Sequence, residues 1–424
     1  MKTKEMNNTV VPKLRFPEFV GKEGWVEKAF FDGILKEHKL KSDGKSEVCS
    51  VSVHKGVVNQ IEHLGRSFSA DDTSNYKLVK PGDIIYTKSP TGNFPYGIIK
   101  QHLRGDTVIV SPLYGVFSPI NKWVGFLIHS YFEYSTKTNN FLAPIIQKGA
   151  KNTIQISNDT FLSKGIPLPS IRNEQQKVAE FILSLDELIL AETEKLGALK
   201  IYKSGLVQQL FPSDGETVPQ LRFSEFENER EWQRKPFNKV FARITTKNRE
   251  NNQNTLTISA QLGLVNQLDY FNKTIAASDL SGYYLLHKGD FAYNKSYSQG
   301  YPMGAIKRLK YYEKGVVSTL YICFRIKSED NPSFFEQYFD AGLLNSEINQ
   351  IAQEGARNHG LLNIGVKDFF EKIELLIPSK IEEQQKIADC LSSIDELIDA
   401  QNQKVVTLKE HKRGIIQQLF PTIE

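Results

Sequence analysis

The stretches PSIRNEQQKVAEFILSLDELI (169–189) and PSKIEEQQKIADCLSSIDELI (378–398) agree at 12 of 21 positions and lie 209 residues apart. Each is followed by a second matching stretch, LKIYKSGLVQQLFP (199–212) and LKEHKRGIIQQLFP (408–421). Pro169-Ser170 and Pro378-Ser379 stand just ahead of an acidic first turn, and apolar residues then recur at steps of three and four, the signature of a helix with one apolar stripe. In the first copy the stripe reads Val178, Phe181, Leu185, Leu188 and, after a slip near Glu192, Leu196, Leu199, Tyr202, Leu206 and Leu210. In the second it reads Ile387, Cys390, Ile394, Leu397, Leu408, His411, Ile415 and Leu419. A mean step near 3.5 makes a seam for a partner helix. Glu174 to Leu210 is 37 residues, or about 55 Å of helix, longer than a small domain can bury. The two helices are therefore expected to pack on each other as an antiparallel pair; the alternative is that each lies on its own domain.

Working outward, the repetition extends over the whole chain. PKLRFPEF (12–19) returns as PQLRFSEF (219–226), SVSVHKGVVNQ (50–60) as TISAQLGLVNQ (257–267), KPGDIIYTKS (80–89) as HKGDFAYNKS (287–296), and VSPLY (110–114) as VSTLY (317–321), all at an offset of 207. A fixed period of this size marks two copies of one structural unit. Runs such as VCSVSVHKGVV, TVIVSPLYGVF and GVVSTLYICFRI, broken by Gly and Pro, predict strands, and NPSFFEQYFDAGLLNSEINQIA predicts at least one helix per block. The expected fold is α+β: two globular domains (1–168 and 213–377) and two long helices (within 169–212 and 378–424) packed as an antiparallel coiled coil, a pseudo-twofold tandem repeat. The copies diverge most in the globular blocks.

Composition bounds what such a protein does. With 424 residues, several domains are expected, and 40% hydrophobic with 24% charged residues describes a globular chain. Cys49, Cys323 and Cys390 form neither a C-x-x-C nor a disulfide framework, and no run approaches the roughly 20 apolar residues that span a bilayer. A soluble, cytoplasmic protein without a membrane partner is expected. The net charge of +4 is unevenly spread: residues 26–165 carry 17 Lys/Arg against 12 Asp/Glu and residues 233–375 carry 18 against 14, while the helical segments 170–211 and 379–420 are slightly acidic. Two basic blocks suggest a polyanion partner.

Motifs for catalysis fail on inspection. Asn331-Pro332-Ser333-Phe334 is better read as a helix cap followed by Pro than as a methyltransferase loop. Asp83 with Lys88, and Asp290 with Lys295, lack the second carboxylate of a magnesium nuclease, and no histidine occupies the same place in both copies. No catalytic or metal-binding residue is assigned. The repeated loops fit binding better. Lys88, Ser89, Pro95 and Gly97 match Lys295, Ser296, Pro302 and Gly304, placing a cation and a hydroxyl at a strand end ahead of a Pro/Gly loop suited to a phosphate. Gly149-Ala150-Lys151-Asn152 matches Gly355-Ala356-Arg357-Asn358, where small residues permit close approach and Lys, Arg and Asn can read base edges. Arg104, Lys307 and Arg308 are further basic candidates.

The doubled pattern of PKLRFPEF with Trp25, PSIRNEQQKVAEFILSLDELI and GLVQQLFP, each with its second copy and Trp232, resembles the specificity (S) subunit of Type I restriction-modification systems over essentially the whole chain. That resemblance implies two target recognition domains, each reading half of a split double-stranded DNA sequence. It also implies a helical pair that acts as spacer and docks two modification (methyltransferase) subunits. Val178, Phe181, Leu185, Leu188, Leu199, Leu206, Ile387, Ile394, Leu397, Leu408 and Ile415 are the positions expected to build that pair and its docking face. No cofactor is implied for this chain. S-adenosylmethionine would be bound by the modification subunits, and ATP with magnesium by restriction subunits where these join. The competing readings are a coiled-coil adaptor that never touches DNA, and part of a Type IIG-like restriction and methylation enzyme.

Overall fold

A computed structural model describes residues 9–64, 72–148, 154–271, 279–352 and 362–421. The chain divides into two units, 1–193 with 403–424 and 194–402, so each long helix contributes one half to each unit. In the first unit β1 (Leu35–Glu37), β2 (Glu47–Ser52), β3 (Gly56–Asn59), β4 (Lys77–Val79), β5 (Ile84–Tyr86), β6 (Ile99–Gln101), β7 (Val108–Val110) and β8 (Gly115–Pro119) precede helix α1 (Lys122–Phe132) and the long helix α2 (Arg172–Leu210). Of the two four-stranded sheets described in this unit, one has the antiparallel order β1-β8-β5-β6 and the other runs β3-β2-β7-β4, with β2 and β7 parallel. Strand β5 reads as an unbroken apolar run because both of its faces are covered. Ile84 and Tyr86 enter the larger core with Trp25, Phe117 and Phe161, while Ile85 enters a smaller one with Val51, Val110 and Val116.

The second unit repeats this frame with β9 (Phe241–Arg243), β10 (Leu256–Ser259), β11 (Gly263–Asn266), β12 (Tyr284–His287), β13 (Phe291–Asn294), β14 (Ala305–Arg308), β15 (Lys314–Val317) and β16 (Ile322–Ile326), then helix α3 (Pro332–Asp340) and the long helix α4 (Ile381–Leu419). The order β9-β16-β13-β14 matches its counterpart strand for strand. Asn331 caps α3, its side-chain oxygen accepting from the N–H groups of Ser333 and Phe334, and Asn121 caps α1 in the same way. The Asn331-Pro332 stretch is thus a helix start, as the cap reading expects.

Both long helices have 39 residues, and their pairing is antiparallel within each unit. In the first, Asp186 meets Lys412 and Glu192 meets Lys404, each at 2.6 Å; in the second, Asp395 meets Lys203 at 2.6 Å. The seam differs from the sequence expectation in one respect. Residues 178, 182, 185, 189, 192, 196, 199, 203, 206 and 210 form an unbroken 4-3 heptad pattern with none exposed, and so do 387, 391, 394, 398, 401, 405, 408, 412, 415 and 419. The slip near Glu192 does not exist: Glu192, Lys203, Gln401 and Lys412 are polar occupants of seam positions, which an apolar-only reading steps over. Leu188 (43% exposed), Leu397 (57%) and Tyr202 (60%) consequently lie off the seam. Phe181 also flanks it, meeting Phe16 edge to face at 5.6 Å.

The helices complete the domain cores as well as pairing. Val178 and Ile182 of α2, with Ile416 and Leu419 of α4, join the first large core; Leu210 of α2, with Ile387 and Leu391 of α4, joins the second. A buried ionic clasp fixes each helix start. Glu174 accepts two bonds from the Arg15 guanidinium (2.7 and 2.8 Å) and one from the Trp25 indole (3.0 Å); Glu383 does the same with Arg222 (2.8 and 2.7 Å) and Trp232 (3.2 Å). The LRF, Trp and EQQ signatures are therefore parts of one structural device.

Candidate nucleic-acid interface

Each domain carries a loop that leaves the central strand and returns across its end. In the first, the Tyr86 hydroxyl donates to the carbonyl of Tyr96 (2.8 Å), and the N–H of Ile98 donates to the Thr87 hydroxyl (3.1 Å). In the second, the Tyr293 hydroxyl donates to the carbonyl of Met303 (2.7 Å). The shared Pro-x-Gly has a steric cause. Gly97 and Gly304 have φ of 89° and 80°, and a Cβ there would fall 2.9 Å from the Lys88 nitrogen and 2.3 Å from the Asn294 carbonyl oxygen. The loop thus holds the strand-end lysine in place.

Lys88 is half-buried, in a left-handed conformation with φ 55°, and its ammonium has no hydrogen bond or ion pair among the described residues. Burial lowers its pKa, and nearby Lys77 adds to the effect, with Glu37 opposing. Lys77 itself donates to the carbonyl of Tyr114 at 2.5 Å, which ties the V-S-x-L-Y turn to the same region. Lys295 lines a cavity of about 180 Å³ with Arg243, Tyr284, Leu320 and Tyr321. In both domains the lysine is thus near the repeated V-S-x-L-Y turn. There the hydroxyl of Ser111 or Ser318 accepts the N–H of Leu113 or Leu320, both at 3.3 Å, leaving leucines 76% and 68% exposed. Sequence reasoning missed these leucines as candidates although their repetition was visible.

Other sequence candidates are committed elsewhere. Ser89 donates back to the Thr87 carbonyl (3.3 Å), and the Ser296 N–H bonds the Asn294 side chain (3.1 Å). Arg104 is closed in a network with Asp106 (2.6 Å) and Glu47 (2.8 Å). Lys307 is 7% exposed and donates to Asp340 (2.5 Å), and Arg308 donates to Ser333 (3.0 Å) beside Glu336 (3.7 Å). The charge of Lys307 is neutralised inside the fold and is not available to a partner without breaking a buried pair, whereas the Arg104 network, with its side chain 38% exposed, is a weak surface pair. Lys151, Asn152, Arg357 and Asn358 lie outside the described residues; Leu362, just beyond the last two, donates its N–H to the Lys295 carbonyl (3.0 Å). Asp83 accepts from the Lys80 N–H (2.8 Å), Ser118 (2.7 Å) and His38 (2.8 Å), and Asp290 from the His287 N–H and Arg325 (both 2.8 Å). Both carboxylates act as turn anchors.

Residues 34–200 and 229–410 match the family described as the Type I restriction modification DNA specificity domain. Among solved structures, the S subunit of the Type I restriction-modification system from M. genitalium is 13% identical, with 98% of this chain and 100% of that chain covered and a TM-score of 0.57. A likeness at that identity is one of fold. The HsdS subunit from Thermoanaerobacter tengcongensis is 15% identical, with 82% and 83% covered and a TM-score of 0.38. No curated protein sequence matches.

Proposed function

We propose that this chain, which belongs to the family of Type I restriction-modification DNA specificity proteins, reads an asymmetric DNA target in two halves, one with each globular domain. It is the DNA-recognition subunit of such a system and not its catalytic one. The observation that carries the two-half reading is the presence of two specificity domains in one chain, alike in frame and unlike in their loops. Neither a coiled-coil adaptor nor a Type IIG-like enzyme is favoured by that match. The helical pair sets the gap between the halves and docks two modification subunits. Leu188 and Leu397, exposed and 209 residues apart, offer equivalent contacts to two identical partners. S-adenosylmethionine is bound by those partners, ATP and magnesium by restriction subunits, and the complex acts in the cytoplasm. No helix among the described residues is long and apolar enough to cross a membrane. The direct test is reconstitution: the purified chain should neither methylate nor cleave DNA, and adding its modification subunit should produce adenine methylation at a split site. Methyl transfer by the pure chain alone contradicts the assignment.

The spacer role makes a metric prediction. One heptad inserted in α2 between Lys195 and Tyr202, with another in α4 between Glu396 and Gln403, keeps the seam in register while adding about 10.5 Å. At about 3.4 Å per base pair, the gap should lengthen by roughly three base pairs with both half-sites unchanged. Methylome sequencing reads this directly; altered half-site bases with the original gap would contradict it.

Lys88→Ala and Lys295→Ala should each weaken binding of the assembled methyltransferase to duplex DNA. If each lysine meets a phosphate, the slope of log affinity against log salt flattens by roughly 0.9 per site. Contact with a base would instead leave the slope and lower discrimination at one position by about 1–3 kcal/mol. Titrations at several salt concentrations on matched and mismatched duplexes separate these outcomes, and no change in either quantity would remove both lysines from the interface.

A further inference from the structure

The two copies treat one buried lysine in opposite ways. Lys307 in β14 donates to Asp340 (2.5 Å) and to the Tyr301 hydroxyl (3.0 Å), so its charge is neutralised within the fold. Its counterpart 207 positions earlier, Lys100 in β6, is only 4% exposed and has no hydrogen bond or ion pair among the described residues. Both partners are lost for identifiable reasons. Phe94 stands where Tyr301 stands and brings no hydroxyl. Counted from the helix caps Asn121 and Asn331, Ser130 stands where Asp340 stands; the nearby acid, Glu133, lies three residues further on and its carboxylate accepts from Lys412 (2.6 Å), which also holds Asp186 (2.6 Å). In the second unit the equivalent lysine, Lys203, takes one carboxylate among the described residues, that of Asp395 (2.6 and 2.7 Å). Two lysines and two carboxylates are thus present in each unit, yet in the first both acids sit on one lysine.

Lys100 lines a cavity of about 1080 Å³ in the first unit, together with Lys55, Lys409 and Arg413. None of these three pairs with a carboxylate among the described residues. The carboxylates in the lining, Glu133 and Asp186, are those already taken by Lys412. His129, also in the lining, accepts the Gln101 N–H on Nδ1 (3.1 Å). Burial, then the charges of Lys100 and Lys412, hold its pKa well below the ordinary imidazole value, so the ring is neutral and its proton is on Nε2. Burial lowers the pKa of Lys100, with Glu133 and Asp186 opposing through space and Lys412 adding to the effect, so the ammonium lacks a paired acid of its own; beside a neutral N–H donor and a basic rim, an anion from outside the chain would hold it charged.

We propose that this cavity seats a phosphate group, with Lys100 as its buried counter-charge and His129 Nε2–H as a second donor. The site stands on its own geometry; only one of its two possible sources, a DNA backbone phosphate, rests on the DNA-recognition reading, the other being a free phosphate compound.

The test titrates the purified full chain with inorganic phosphate and with tripolyphosphate by calorimetry, at constant ionic strength in chloride. Saturable binding is expected, with affinity at least tenfold weaker for Lys100→Met and unchanged for Lys307→Met. Without phosphate, Lys100→Met should melt no lower than the unaltered chain, because it removes a buried ammonium that burial disfavours and that has no hydrogen bond or ion pair among the described residues. Phosphate should raise the melting temperature of the unaltered chain alone. In the assembled methyltransferase, a DNA phosphate at this site predicts that Lys100→Met flattens the salt slope by roughly 0.9 and that tripolyphosphate competes with DNA. A free phosphate compound predicts the calorimetric loss with an unchanged slope. Equal anion binding by the chain and Lys100→Met with an unchanged slope overturns the proposal, as does a lower melting temperature of the variant without anion. Failure of the assembled complex to bind DNA would instead strike the recognition reading, while the anion titration would still decide whether the cavity holds phosphate.

Discussion

Replacing Arg222 by alanine is expected to destabilise the unit of residues 194–402 by about 3–5 kcal/mol, the cost of leaving one member of a buried ion pair alone. Arg222 and Glu383 are 7% and 1% exposed at their side chains, so little solvent screening is available. The guanidinium also donates to the carbonyls of Glu229 (2.8 Å) and Arg230 (3.0 Å), and among the described residues Glu383 would keep the Trp232 indole alone. In a unit of this size the loss corresponds to a melting shift on the order of 10 °C. Arg222→Ala with Glu383→Ala together should cost less than the sum of the two single changes, since the second removes the stranded charge. Arg15→Ala should act likewise on the first unit through Glu174, where the side-chain exposures are 5% and 1%. Thermal unfolding of the single and double variants measures this. A loss below about 1 kcal/mol would mean that the clasp behaves as a surface pair.

Much of the fold was legible because the chain contains its own comparison. The repeated long helices, the β-rich blocks and the antiparallel pairing follow from matching two copies that share a period and an apolar step. What misled was the assumption that a seam is apolar: Lys203 and Lys412 hold seam positions through ion pairs with Asp395 and Asp186, which are distant in sequence. Tyr202 and His411, both exposed, were drawn into the seam in their place. The binding candidates illustrate the same limit. Lys307 and Lys100 are alike in sequence context as basic residues that follow an isoleucine within a strand, but only three-dimensional packing reveals that one is paired with a carboxylate and the other is not. Arg104 looks free in the sequence and is tied to Glu47, 57 residues away. The exposed leucines of the V-S-x-L-Y turns were the reverse case, where the repetition was visible but the stretches were read only as strands.

Exchange of the first globular domain is expected to have the largest functional effect, because it should replace half of the recognised sequence outright. The structure adds a condition on where the exchange is made. The first large core includes Val178, Ile182, Ile416, Leu419 and Phe420 from outside the domain, and Lys412 needs the carboxylate of Glu133. A donor block for residues 26–165 must therefore bring an apolar face for these helical residues and an acid at position 133. Without that acid, Lys412 keeps Asp186 alone among the described residues, and the chimaera should lose stability before it loses specificity.

Methylome sequencing of a host expressing such a chimaera with its modification subunit measures the central claim most directly. The expected result is a methylated sequence in which one half is new while the other half and the gap are those of the original chain. Alteration of both halves, or an unchanged target after exchange of residues 26–165, would contradict reading by two independent domains on one helical frame.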